Sequence, residues 1–349
     1  MRSSRSAAFR DHDCFLNATA VPTSRASSNL FFLQPSFFAD GTMRHDVAIL
    51  LCTYQGAQYL PEQLDSFAAQ THATWSVCVS DDGSKDATHE ILRSYRRNWG
   101  PDRLFVRAGP RKGFAANFMS LICCDEVAAD YYAMSDQDDI WHADKLERAV
   151  RWLKTVPSDV PALYCTRTEL VDGSGKELGY SPLFTRPPSF RNALVQNVAG
   201  GNTMVFNNAA RDLLRAAGGN VKVVAHDWWV YIVVSACGGK VFYDPAPSLL
   251  YRQHSENLIG ANAGLRARLH RINRLFQGHL KLWTDQHIVA IQPVLSSLSA
   301  ENLSIFNRFT AARQRSLIPR VLGIWRSGIY RQTRLGNLGL LVAAIFNRI

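Results

Sequence analysis

The sequence predicts an α/β protein, a mostly parallel sheet flanked by helices, followed by a helical C-terminal extension. Two observations carry this. Between residues 46 and 164 short apolar β-type runs alternate with amphipathic stretches, the pattern of parallel strands joined by crossover helices. Beyond residue 264 the strand-like runs stop and the chain becomes helical in character and basic on one side.

The elements follow in order. Residues 47–52 are an apolar β run, and residues 60–70 read as a helix with Pro61 in its first turn, where the missing N–H leaves no bond unmade. A second strand is expected at 75–80 and a second helix at 86–96, capped near Ser84 or Asp86. A short strand at 104–107 leads to a helix from 114 to about 124, and 131–135 is a fourth strand ending in acids. An amphipathic helix at 142–154 and a strand at 162–168 follow, then a Gly-, Ser- and Pro-rich loop or small excursion over 173–190. Short strands at 203–206 and 240–243 flank an apolar helix at 226–237. No internal repeat is evident.

With 349 residues, 47% of them hydrophobic and 19% charged, the chain can bury a large core, and disordered, collagen-like and disulfide-scaffold classes fit poorly. The net charge of +10 is unevenly placed, because residues 264–349 hold 13 Lys and Arg against only Asp285 and Glu301. An anionic partner is therefore expected at the tail rather than over the whole surface. Seven cysteines, several inside apolar runs and none in a C-x-x-C pair, read as reduced and mostly buried, which suits a cytoplasmic chain. Residues 1–42 lack the apolar centre of a secretory signal and read as a disordered extension, with Met43 as an alternative start. No run reaches the roughly 18 to 20 apolar residues that span a bilayer.

Four strings carry chemistry. Ser80-Asp81-Asp82-Gly83-Ser84 closes the second strand, where open α/β sheets bind ligands, so its carboxylates can accept hydrogen bonds from a base or ribose. The same residue types also make ordinary turns. Ser135-Asp136-Gln137-Asp138-Asp139 closes the fourth strand, and three carboxylates so close repel one another unless a hard divalent cation joins them. Such a cation would bridge the phosphates of a nucleotide-sugar; acids favouring a helix N-terminus are the plainer alternative. In His226-Asp227-Trp228-Trp229 a carboxylate beside two large rings is partly desolvated and suited to act as a base, unless it merely caps a helix with core aromatics. Tyr251-Arg252-Gln253-His254 offers a cation and an imidazole for a diphosphate or metal, or only a polar loop. Arg111-Lys112-Gly113 with Asn117 suits a phosphate or base contact at a helix start, and is also a common loop composition. No G-x-G-x-x-G or P-loop string occurs, so dinucleotide oxidoreductases and P-loop NTPases lose their main support.

Taken in order, residues 52–56, 80–84, 112–117, 135–141, 226–229 and 251–260 resemble the family 2 glycosyltransferases of the GT-A fold, especially the bacterial rhamnosyltransferase-like members. The resemblance implies that Thr53, Tyr54 and Asp82 hold the nucleoside with Asp81 nearby, and that Lys112, Asn117 and Arg252 also face the nucleotide-sugar. Asp136 and Asp138 match the D-x-D, so that Asp138 would bind Mg²⁺ or Mn²⁺ and Asp136 the ribose or sugar, with His254 a late diphosphate or metal contact. Asp227 matches the base that deprotonates the acceptor hydroxyl in a single inverting displacement. His226 stands where many members carry an acid. Asp139, Trp141, Gly201, Asn202, His226 and Trp228 would line the acceptor or sugar side, with Gly200 helping to shape it. The implied organisation is an extension over 1–42, a catalytic domain over 43–262 and a basic helical region over 263–349.

The activity so implied is transfer of a hexose, rhamnose by the resemblance, from a nucleoside-diphosphate sugar to a lipid-linked or polysaccharide acceptor in cell-surface synthesis. Arg266, Arg268, Arg271 and Arg274 share a helical stretch with Leu265, Leu269, Ile272 and Leu275. That pattern fits a helix lying on the anionic inner face of the plasma membrane, or one packed on the catalytic domain. Rival readings are a sugar nucleotidyltransferase, a nucleic-acid binder using the tail, and a non-catalytic nucleotide-sugar binder. The first lacks a basic residue in 53–58, and the second lacks aromatics among the tail arginines, so no nucleic-acid partner is expected.

Overall fold

The computed structural model describes residues 47–253 and 279–349. The expected extension over 1–42, His254 and the basic stretch 265–275 lie outside the described residues. The first strands and helices are β1 (Val47–Thr53), α1 (Leu60–Ala68), β2 (Trp75–Asp81), α2 (Thr88–Trp99), β3 (Leu104–Ala108), α3 (Phe114–Ile122) and β4 (Tyr131–Ser135). They form the repeating unit expected from the alternating pattern.

The chain continues through β5 (Ile140–Trp141), α4 (Lys145–Leu153), β6 (Ala162–Thr166), β7 (Glu169–Asp172), β8 (Glu177–Tyr180) and α5 (Phe190–Ala193). After a 3₁₀ turn at Gly201–Thr203 come β9 (Val205–Asn207), α6 (Asn208–Ala217), α7 (His226–Ala236), β10 (Lys240–Asp244) and β11 (Leu249–Gln253). The seven-stranded sheet has the order β10-β6-β9-β4-β1-β2-β3. It is parallel except for β9, which runs against both β4 and β6. β1 is paired with β2 on one side and with β4 on the other, although β2 and β3 intervene in sequence. The chain thus reverses its direction of travel across the sheet between β1 and β4, and the carboxyl ends of strands at such a reversal are where open α/β sheets place their ligand crevice.

A second sheet, β5-β11-β7-β8, was not foreseen from the sequence. Residues 177–180 lie inside the stretch read as a loop, yet they pair antiparallel with β7, with an irregularity at Leu170/Val171. Short, mostly exposed strands show no long apolar run, so only the pairing partner identifies them. α6 was also missed. It starts directly from β9, with the Asn207 side chain accepting from Ala210 N–H as the cap.

The core lies on both faces of the large sheet. Along β1, Ala48, Leu50 and Cys52 point into one cluster with α3, α6 and α7, while Val47, Ile49 and Leu51 point into the other with α1 and α4. This period-two division is why β1 is apolar from Val47 to Cys52 and fully buried. α7 is buried on nearly every side because it is held between the sheet and the C-terminal helices.

Those helices are α8 (His279–Ala290), α9 (Ala300–Arg313), α10 (Leu317–Ser327) and α11 (Arg334–Ile345). The sequence places a boundary near residue 262, and the described chain beyond it buries Ile291, Ile305, Phe309 and Ile324 in the same core cluster as α7. Asn302 Nδ2 donates to the carbonyls of Ser235 and Ala236 at 2.9 and 3.0 Å, closing the end of α7. Among the described residues no helix is long and apolar enough to cross a membrane.

Candidate functional site

The loops after β1, β2 and β4 meet at the reversal point. Tyr54, just past β1, is 60% exposed and leaves its ring open to stacking. Its backbone is gripped by Gln137, whose Oε1 accepts from Tyr54 N–H at 2.8 Å and whose Nε2 donates to the Tyr54 carbonyl at 2.9 Å. Gln137 thus ties the loop after β4 to the loop after β1.

Asp81 turns inward. Its carboxylate accepts from Thr53 Oγ1 at 2.8 Å, Ser84 Oγ at 2.6 Å, and the N–H groups of Gly83 and Ser84. His89 Nε2 lies 3.1 Å away. With Thr53 and Asp81 both buried, this pair shapes the turn rather than facing a ligand. Asp82 is half-buried and accepts from the N–H groups of Arg111 and Gly113, fixing the loop that carries exposed Lys112. Arg111 has a φ of 56°, a left-handed conformation that the grip on its N–H helps to hold. Asn117 is a correction to the sequence reading: its Nδ2 donates to the Ser80 carbonyl at 2.9 Å, so it staples α3 to β2 from inside.

The acids after β4 divide by burial. Asp136 and Asp138 are half-buried, while Asp139 is fully buried. Asp139 Oδ2 accepts from Asn202 Nδ2 at 2.7 Å, and its Oδ1 has no hydrogen-bond partner. Burial first, then the charges of Asp138 and Asp227, pushes the Asp136 carboxyl up to about 7, with Lys145 opposing. Lys145, at the start of α4, is completely buried and donates from Nζ to the Asn202 carbonyl, with Nζ 4.3 Å from the centre of the Trp141 ring. Burial lowers its ammonium to about 7, while Asp139 and Asp136 pull the other way. Trp141 packs on Phe67 with ring centroids 4.6 Å apart and is buried, so it supports the cluster instead of contacting sugar.

Asp227 opens α7 across the crevice. Burial lifts its carboxyl to about 6, against hydrogen bonds from Trp228 N–H, the Asn197 side chain and Gly201 N–H. Asp227 and Asp136 lie close enough for the charge of one to raise the other. At the end of β1, the Cys52 thiol is raised by burial and then by Asp136 and Asp82. The acids after β2, those after β4 and Asp227 at the start of α7 therefore lie within electrostatic reach of one another or of Cys52 between them. Tyr251, on β11, is raised by burial and then by Asp136, Asp139, Asp138 and Asp227, which places its phenol beside the same group.

Three further expectations are corrected. Trp228 faces the core: its ring lies against Trp283 and His287 at centroid distances of 6.0 and 4.6 Å, and its Nε1 donates to the Ala193 carbonyl. One step along a helix rotates a side chain by about 100°, so Asp227 can face the cleft while its neighbour cannot. His226 is stacked on Phe118 at 3.8 Å and buried, with neither ring nitrogen hydrogen-bonded, and burial lowers its imidazole to about 3. Arg252 is buried and donates to the carbonyls of Asp138 and Gly173 and to Glu62 at 2.7 Å, so it braces the acidic loop from behind. Gly201 and Asn202 are both buried, and they connect the two halves of the site through Asp227 and Asp139.

The family model for glycosyl transferase family 2 matches residues 48–214, from β1 through α6 and across both acidic loops. Those residues form a family 2 glycosyltransferase domain. It is 29% identical over 235 residues to the dTDP-rhamnosyl transferase RfbG of Shigella flexneri, covering 64% of this chain and 78% of that one. An uncharacterised glycosyltransferase of Rickettsia typhi is 25% identical over 260 residues, covering 70% and 75%. Among solved structures, S. aureus TarS in complex with UDP-GlcNAc superposes with a TM-score of 0.50 at 13% identity, over 87% of this chain and 89% of that one. That likeness is one of fold, and it identifies the glycosyltransferase as a GT-A protein.

Sequence reading of this glycosyltransferase overlooked Gln137 and Lys145. Gln137 is the middle residue of the D-x-D string, and nothing local marks it as a clamp. Lys145 carried a signal, since it is the first Lys or Arg after three crowded acids. A helix with Lys at its start invites the reading of a solvated charge.

Proposed function

We propose that this glycosyltransferase moves a sugar, rhamnose foremost, from a nucleoside-diphosphate donor to an acceptor hydroxyl with inversion, on a lipid-linked or polysaccharide acceptor of the cell surface. The observation that carries the proposal is the pairing of Asp227, lifted to about 6, with Asp136 and Asp138 across one cleft at the sheet's reversal point. A carboxylate near 6 is ionised at neutral pH and still basic enough to share the proton of an attacking hydroxyl. Tyr54 would stack on the base, Asp82 and Lys112 would flank the nucleotide, and Asp136 would accept from the ribose or sugar. The similarity to a dTDP-rhamnosyl transferase supports dTDP-rhamnose as the first donor to try.

The donor set fits Mg²⁺ or Mn²⁺ in charge and in kind: hard carboxylate oxygens, mutual repulsion at Asp136, and an unpartnered buried oxygen on Asp139. Among the described residues no three acid, His or Cys side chains converge as a finished cage. Asp138 would hold the ion with oxygens from the donor completing its shell. When bound, the ion neutralises charge on the departing diphosphate. The deciding assay is nucleoside diphosphate release from a panel of sugar nucleotides, with and without Mn²⁺. Turnover of dTDP-rhamnose that requires the metal supports the reading, and transfer from none of the donors under either condition defeats it.

A further inference from the structure

Helices α10 and α11 pack on each other at the C-terminus. Arg320 of α10 ties them, donating to the carbonyls of Ala344 and Ile345 at the end of α11. Each helix has a buried stripe, Arg320, Ile324 and Ser327 on α10 and Leu340, Ala343 and Ala344 on α11. Each also has an exposed stripe that is apolar instead of polar. On α10, Ile318, Leu322 and Trp325 follow one another at spacings of four and three and are 69, 46 and 76% exposed. On α11, Leu335, Leu338, Leu341 and Ile345 are exposed at matching spacings, with Phe346 just beyond. A helix whose outward face is apolar is unusual for a domain surrounded by water.

The charge around these stripes selects what covers them. From residue 302 to the C-terminus there is no acidic residue, and Arg315, Arg326, Arg334 and Arg348 are exposed beside the apolar stripes. A symmetric dimer would place this cationic surface against its own copy, like charge on like charge. A nucleic acid would meet the arginines but leave the leucines and isoleucines uncovered. An anionic lipid surface answers both, taking the apolar side chains among its acyl chains and the arginines at its headgroups, with Trp325 suited to the boundary. Neither helix can cross a bilayer, so the contact is one of lying in the interface.

We propose that the outer faces of α10 and α11 form a docking surface for anionic phospholipid membranes, seating the enzyme at the bilayer. The assignment is independent of how the acidic cleft works. The test is co-sedimentation of the full chain with vesicles of phosphatidylglycerol and phosphatidylethanolamine, against vesicles of phosphatidylcholine alone. The parent is expected to partition to the anionic vesicles, less so as salt rises, and the variant I318S/W325S to lose about tenfold or more of that binding. Both side chains are exposed, so the variant keeps its circular dichroism and its rate of donor hydrolysis in solution. Equal binding of parent and variant, or no binding by a folded parent, overturns the proposal. So does a concentration-dependent dimer in sedimentation that the variant abolishes, or RNA binding that displaces the vesicles.

Discussion

Gln137 holds both backbone polar groups of Tyr54, accepting at 2.8 Å and donating at 2.9 Å, and so joins the loops on the two sides of the sheet's reversal point. The position of the exposed Tyr54 ring depends on an amide that both gives and accepts. Gln137→Glu keeps the shape and loses the donor. It is expected to raise KM for the donor by about fivefold, with little change in kcat, since one such bond contributes about 1 kcal/mol. Steady-state kinetics with varied donor would show it, and an unchanged KM would disconnect the clamp from donor binding. The same clamp explains Gly56, where a Cβ would come within 2.3 Å of Gln137 Oε1.

Asp227 is expected to govern the acid side of the pH profile. As its carboxyl stands at about 6, the base is protonated below that pH, so kcat/KM should rise through about pH 6 and level above it. Asp227→Asn should cost at least ~100-fold in transfer while leaving calorimetric donor binding in place. Retained turnover would assign the base elsewhere.

Asp136 makes the fold less stable wherever it is ionised. Its folded carboxyl at about 7 lies above the ordinary value of 3.8, so the folded state keeps a proton the unfolded chain has already released between those limits. The resulting destabilisation is absent below pH 3.8, grows as pH rises, and is complete above about pH 7. Asp136→Asn should therefore melt higher than the parent at pH 8, with the gap closing toward pH 4, and should be inactive. A pH-independent gap in Tm would contradict the burial of this charge.

Lys145 is the buried cation among these acids. Lys145→Met removes the donor to the Asn202 carbonyl and leaves Asp139 without its compensating charge. A loss of about 3 kcal/mol in urea unfolding is expected, partly recovered in the double variant with Asp139→Asn. Additive losses would mean that the two do not interact.

Gly201 is restricted by His226, because a Cβ there would lie 2.3 Å from His226 Nε2, and that ring is fixed against Phe118. Gly201→Ala should destabilise by roughly 1–3 kcal/mol. It should also shift the acid limb of the pH profile, since Gly201 N–H bonds Asp227. A shift in Tm with an unmoved limb would confine Gly201 to packing.

Much of this protein is written locally. The apolar run of β1 and its neighbours, the amphipathic period of α4 and the acids at the ends of β2 and β4 are properties of short segments, and together they determine the α/β class, the family and the edge of the sheet that binds. Which of two adjacent residues faces the cleft is not local. Asp227 and Trp228 differ by one step, as do Asp138 and Asp139, and only packing against α8 and Asn202 turns one outward and the other in. The roles of Arg252 and Asn117 were likewise decided by distant carbonyls, of Asp138 and of Ser80, that no spacing rule brings near. The small sheet was invisible for the same reason, since an edge strand of four mostly exposed residues owes its conformation to hydrogen bonds with a partner elsewhere in the chain. The outer faces of α10 and α11 complete the contrast: their apolar spacing is present in the sequence, but only the packed structure shows which stripe is covered and which is left to meet a partner.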